Sequence, residues 1–170
     1  MGGGRDLNKK GGFYIYQYTS KETIGNKKVV EKKPEYKHGL NDTHPPAYTN
    51  TSDMYWGMDS RGRVESLKIY DTENRNSIRE IHTYREPGPK GYMNPEGTVH
   101  YHDYEIVTIN GQKKIRRIDR AKKLTPDLIN KYGALLEAAR QRNIAKGFND
   151  PPLNFNFVEK PIKQKPKQKP

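Results

Sequence analysis

The chain has 170 residues, a formal net charge of +12 and a sequence pI near 9.7, which bounds it to one domain, or one small domain with tails. It has no cysteine, so disulfide scaffolds, cysteine-ligated zinc and thiol nucleophiles are excluded, and no apolar run is long enough to span a bilayer or to form a secretory segment after Met1. Leu, Ile, Val and Phe together stay under the roughly 20% of residues that, with high charge, marks disorder, but 12 Tyr and one Trp supply apolar surface that this count overlooks.

Residues 1–12, with Gly2, Gly3 and Gly4 leading into Arg5, read as a flexible lead-in. Phe13–Tyr18 and Lys28–Lys32, on either side of Ile24-Gly25-Asn26, suggest an N-terminal hairpin. Residues 34–53 form a long polar loop in which Pro45-Pro46 forbids regular structure. Met54–Met58, Arg63–Tyr70 and Ile78–Tyr84 follow as strands separated by turn-forming residues, which makes a meander. Glu86–Gly97, with three prolines and three glycines, is an irregular loop. It leads into Thr98–Ile109, which meets Gln112–Ile118 through Asn110-Gly111, a pair suited to the positive φ angles of a type I′ turn.

One helix is expected from Pro126 to Lys146. Thr125 supplies the N-cap, Pro126 opens the first turn and Gly147 stops it. Leu128, Tyr132, Leu135, Leu136 and Ala139 fall on one face, and Arg140, Arg142 and Lys146 load the C-terminal end. Residues 149–170 read as a mostly disordered tail ending in a Lys/Gln/Pro repeat from Pro161. The expected fold is therefore α+β: an antiparallel sheet of five or more strands over 13–148, with one C-terminal amphipathic helix and loose ends.

Histidine is the natural acid and base near neutral pH, and the chain has His38, His44, His82, His100 and His102. His100, His102 and Tyr104 alternate along one strand, so they share a face within about 7 Å of one another. His82 and Tyr84 share a face of a nearby strand, and Arg85 follows. Such a cluster suits metal-independent RNA cleavage: one group takes the 2′-hydroxyl proton, another protonates the leaving 5′-oxygen, and a cation steadies the phosphorane. On this reading His100, His102, His82, Arg85 and Tyr104 are catalytic, and no cofactor is needed. Histidines on a solvated sheet face are the plain alternative, and a metal held by His100, His102 and Glu105 is a rival. His38 and His44, in the polar loop with Asp42, read as substrate-contacting or as plain loop histidines rather than as metal ligands.

The segment Lys113–Lys123 carries seven basic residues against one acid, Asp119. Lys113, Lys114, Arg116, Arg117 and Arg120 read as a phosphate track, although charge guarding a sheet edge would look the same. The cationic balance favours a polyanionic partner, or serves solubility alone. Phosphate-loop, nucleophile-elbow, HExxH and kinase signatures are absent from the sequence. A non-catalytic nucleic-acid-binding or assembly module, using the same row with tyrosines for stacking, is the second reading.

Asp59–Val64 (D-x-x-G-R-V), Tyr70-Asp71, Glu80-Ile81, the loop 86–97 and His100-Tyr101-His102 together resemble the C-terminal toxin domains of bacterial polymorphic toxin systems of the Rhs and contact-dependent inhibition type. The resemblance covers under a third of the chain. It implies a small basic α+β ribonuclease similar to the barnase, EndoU and colicin group. Such a protein would be a secreted or delivered effector that acts in a target-cell cytoplasm on cellular RNA, tRNA and rRNA among the candidates, without metal, and is neutralised by an acidic immunity protein. Cleavage would then survive EDTA and leave cyclic or 3′-phosphate ends.

Overall fold

Turn chemistry and strand alternation set the architecture of the computed structural model, which describes residues 15–49, 52–118 and 120–161. Strands β1 (Tyr18–Ile24) and β2 (Lys27–Lys32) form a hairpin over Gly25-Asn26, both at positive φ. The positive φ at Gly25 favours glycine, and a Cβ there would press on the Leu135 side chain of the helix. Strands β3 (Met54–Met58), β4 (Val64–Asp71) and β5 (Asn76–His82) make an antiparallel meander. The short β6 (Glu86–Pro87) and β7 (Met93–Asn94) pair within the expected irregular loop. Strand β8 (His100–Ile109) turns through Asn110-Gly111, at φ 51° and 78°, into β9 (Gln112–Arg117), and β10 (Lys122–Lys123) returns to β8.

The sheet order is β1-β2-β3-β4-β5-β8-β10, with β9 extending β8. One junction departs from the expected antiparallel pattern: β2 and β3 are parallel, with Lys28 opposite Tyr55 and Val30 opposite Gly57. Parallel neighbours need a crossover, and the polar loop between them provides it. That loop crosses a sheet face, where its backbone accepts hydrogen bonds from the sheet. Tyr18 Oη donates to the His44 carbonyl at 2.8 Å, Lys68 Nζ to Pro45 and Tyr70 Oη to Pro46.

Helix α1 (Pro126–Ala145) covers the opposite face, with Thr125 Oγ1 accepting from the Leu128 N–H as the cap. Tyr132, Leu136 and Ala139 pack on Trp56, Leu67, Ile69, Ile81 and Tyr101 in the main apolar layer. The helical stripe also includes a polar residue that its spacing did not announce. Asn143 Oδ1 accepts from the Val64 N–H at 2.9 Å, and its Nδ2 donates to the Val64 carbonyl and to Asp150 Oδ2.

Two expectations are corrected. Phe13–Tyr18 is not a strand over its described part: Ile15–Gln17 forms a single 3-10 turn, and β1 starts at Tyr18. Residues 149–161 are not a loose tail. Asp150 receives the Arg63 guanidinium at 2.9 Å, Asn154 exchanges backbone bonds with Gly97 and Val99, and Phe157 is buried. The aromatic and the paired acid give this segment something to bury, which the proline count concealed. The lead-in and the Lys/Gln/Pro repeat beyond Pro161 lie outside the described residues.

Replacing Asn143 with Ala should leave two backbone groups of Val64 and one Asp150 oxygen without this partner, costing about 3 kcal/mol. Urea unfolding of the variant checks it.

Candidate active site

Strand alternation turns Ser66 and Lys68 of β4, Glu80 and His82 of β5, and His100, His102 and Tyr104 of β8 away from α1. Register aligns them in two cross-strand rows: Ser66, His82 and His100 in one, Lys68, Glu80 and His102 in the other. The crossover loop, the segment carrying β6 and β7, and Phe157 lie over this face. His100 is 0% exposed, His82 and Glu80 1% and His102 3%. Apolar residues on this face are concentrated in a tyrosine cluster of Tyr18, Tyr55 and Tyr70 with Val30.

The buried groups are connected. Glu80 Oε1 accepts from His82 Nε2 and, at 3.4 Å, from the Tyr104 hydroxyl, while Glu80 Oε2 is 3.8 Å from Lys68 Nζ. The Lys68 ammonium also lies 5.0 Å from the centre of the Tyr104 ring. Glu86 Oε1 is 3.3 Å from His102 Nε2 and 3.7 Å from His100 Nε2. His100 Nδ1 lies 3.1 Å from the Thr98 carbonyl, and its ring stacks on Phe157. The second ring nitrogens, His82 Nδ1, His100 Nε2 and His102 Nδ1, have no hydrogen-bond partner among the described residues.

Burial sets the protonation states. It lowers His100 to about 3, with the neighbouring His82 acting in the same sense. It also lowers His82 against the pull of the Glu80 carboxylate. Burial opposes ionisation of Glu80, but His82 and Lys68 outweigh it and hold that carboxyl well below its usual range. Lys68 is lowered by burial despite Glu80. The Tyr104 phenol is pushed up by burial and by Glu80, so it remains a hydrogen-bond donor.

A cleft of about 400 Å³ opens beside this network, with Tyr18, Lys32, His44, Lys68, Tyr104 and Lys114 in its lining. Lys32 is paired with Asp42 at 2.9 Å. Lys68 and Tyr104 therefore belong both to the buried network and to the cleft.

The structure brings His82, His100, His102 and Tyr104 together, as alternation suggests. Arg85 is exposed, and Glu86 is the residue of that turn that reaches the histidines. Glu105 alternates to the opposite face and pairs with Arg116 at 2.9 Å, so the rival metal set of His100, His102 and Glu105 does not assemble. Of the basic track, Arg116 and Arg120 are engaged, the latter with Glu159 and the Lys160 carbonyl. Lys113, Lys114 and Arg117 have no ion pair among the described residues, and Arg117 lies opposite Tyr104. Sequence reading missed Lys68, Glu80 and Glu86. The two-residue spacing of Glu80 and His82 carried a signal for one of them. Among the described residues no helix is long and apolar enough to cross a membrane. No family model, curated protein or solved structure matches the chain.

The lowered histidines give a signed pH dependence. An unfolded imidazole takes up a proton below about 6.5, whereas folded His100 does so only near 3. Stability should therefore be full above pH 6.5 and fall between 6.5 and 3, by about 4–5 kcal/mol from this group at its limit. His82 and Glu80 act in the same direction. Urea midpoints measured from pH 7 to 4 should fall, and His100→Gln should flatten the profile.

Proposed function

We propose that the chain cleaves RNA by metal-free proton transfer in the cleft. The observation that carries this reading is the pairing of Lys68 with Tyr104: two donors suited to phosphate oxygens, held by a buried carboxylate at the edge of an open basic cleft. Such a network costs desolvation that a purely structural sheet face could avoid with apolar side chains.

His44, exposed on the cleft wall, takes the 2′-hydroxyl proton as the 2′-oxygen attacks phosphorus. The Tyr104 hydroxyl, whose bond to Glu80 is long at 3.4 Å, turns from that carboxylate to donate its one proton to the phosphorane oxygen. The Lys68 ammonium, made more acidic by burial, hands a proton to the departing 5′-oxygen. The products are a 2′,3′-cyclic phosphate and a 5′-hydroxyl. Lys113, Lys114 and Arg117 take the flanking phosphates. His100 and His102, expected as the acid and base, stand behind this floor because the loops over the sheet exclude a polymer from them. Arg85 takes no part. The resemblance to toxin domains extends the reading to delivery into a target cell and to neutralisation by an acidic immunity protein seated over the same hairpin.

Labelled RNA incubated with the protein should yield cyclic-phosphate ends. His44→Gln should slow cleavage by about 10²–10⁴-fold and Tyr104→Phe by about 10²–10³-fold, with RNA binding retained. Intact RNA after long incubation with folded protein that binds it salt-sensitively would favour the non-catalytic binding module instead.

The cation assignment is tested separately by the salt dependence of binding to single-stranded RNA. The Lys113→Ala/Lys114→Ala/Arg117→Ala variant should reduce the slope of log K against log salt by about 2.

A further inference from the structure

We propose that His82, His100 and His102 together bind one divalent transition-metal ion, zinc foremost, behind the floor of the cleft. One ring nitrogen from each lies within 4.8 Å of those from the other two, and all three residues are buried. Zinc–imidazole bonds of about 2.0–2.1 Å place ligand nitrogens roughly 3.3 Å apart. The rings would thus close by about 1.5 Å at most, on strand positions that already face one another.

Hydrogen bonding fixes which nitrogens are available. His100 Nδ1 faces the Thr98 carbonyl, which can only accept, so the proton is on Nδ1 and Nε2 carries a lone pair. His82 Nε2 meets the ionised Glu80 and His102 Nε2 meets Glu86, so both Nδ1 atoms likewise carry lone pairs. Those three lone-pair nitrogens are the same three that lack a hydrogen-bond partner among the described residues. Acceptors cannot satisfy one another, and a buried acceptor left alone is costly. A cation that accepts electron pairs resolves all three at once.

The surroundings suit that ion. Ligating histidines characteristically donate their other N–H to a carboxylate or a carbonyl, and here each does so. Glu80 and Glu86 supply two negative charges against the ion's two positive ones, with Lys68 the nearby ammonium, paired to Glu80. Imidazole ligands favour zinc, copper, nickel or iron over magnesium and calcium. Glu86, half-buried, marks the route from solvent. This site does not depend on RNA cleavage, which uses groups on the cleft side of Glu80.

The test uses untagged protein stripped with EDTA and dialysed. Titration with Co²⁺, followed by visible absorption, should saturate at one ion per chain. Zn²⁺ should displace the cobalt, and Tm should rise with added Zn²⁺. His102→Gln should abolish the signal, whereas His38→Ala/His44→Ala, which removes the two loop imidazoles, should retain it. X-ray absorption of the wild-type cobalt protein should show three imidazoles, a readout that needs no variant to fold. Absence of saturable binding by the wild type would overturn the proposal, as would loss of binding in the loop variant or fewer than three imidazoles on the metal. Zinc bound without RNA cleavage sinks the ribonuclease reading alone, and RNA cleavage without zinc binding sinks this one alone.

Discussion

Glu80 is the constraint around which the rest is arranged. A carboxylate 1% exposed in the middle of a sheet stays charged only if its surroundings replace water, and three residues from three strands do so: Lys68, His82 and Tyr104. Each replacement imposes a further demand. Lys68 must be buried to reach Glu80, so its ammonium needs the Pro45 carbonyl as well. His82 must present Nε2, which fixes its tautomer and leaves Nδ1 pointing elsewhere. Tyr104 must keep its proton. The crossover loop is thereby tied to the sheet through the same lysine that balances the acid.

That arrangement also explains the composition. Under a fifth of the residues are Leu, Ile, Val or Phe because only one sheet face is packed in the ordinary way, against α1. The other face is assembled from tyrosines, histidines and a buried ion pair, whose rings provide contact area while their polar atoms hold the overlying loops. Low aliphatic content here marks a half-polar interior, and a disorder threshold tuned to aliphatic cores misreads it.

Local signals made much of this legible. Asn110-Gly111, Thr125-Pro126 and Gly147 each act through their immediate backbone, and the turn and both helix ends fall where those residues put them. The shared face of His100, His102 and Tyr104 follows from alternation alone. What could not be read depends on which strands become neighbours. Lys68 meets Glu80 only because β4 pairs with β5 in one register, and the parallel pairing of β2 with β3 has no local marker. Glu86 was hidden in a loop whose prolines forbid regular structure without saying where a side chain points. Phe157 looked like part of a loose tail until His100 gave its ring a partner.

The excess positive charge divides in the same way. Several cations serve the fold: Arg63 reaches Asp150, Arg142 reaches Glu22, Lys27 reaches Asp53 and Arg79 reaches Asp103, each joining segments distant in sequence. These pairs consume acids as they consume bases, so they leave the surplus on residues that form no ion pair among the described residues. On the β8–β9 hairpin that surplus is Lys113, Lys114 and Arg117, and the hairpin extends beyond the part of β8 that pairs with β5. A positive field is focused there, with Lys114 lining the cleft and Arg117 opposite Tyr104, and on the proposed reading it would draw RNA toward the cleft side of the sheet. Net charge alone has no direction; the pattern of paired and unpaired cations places the surplus on one hairpin beside the cleft.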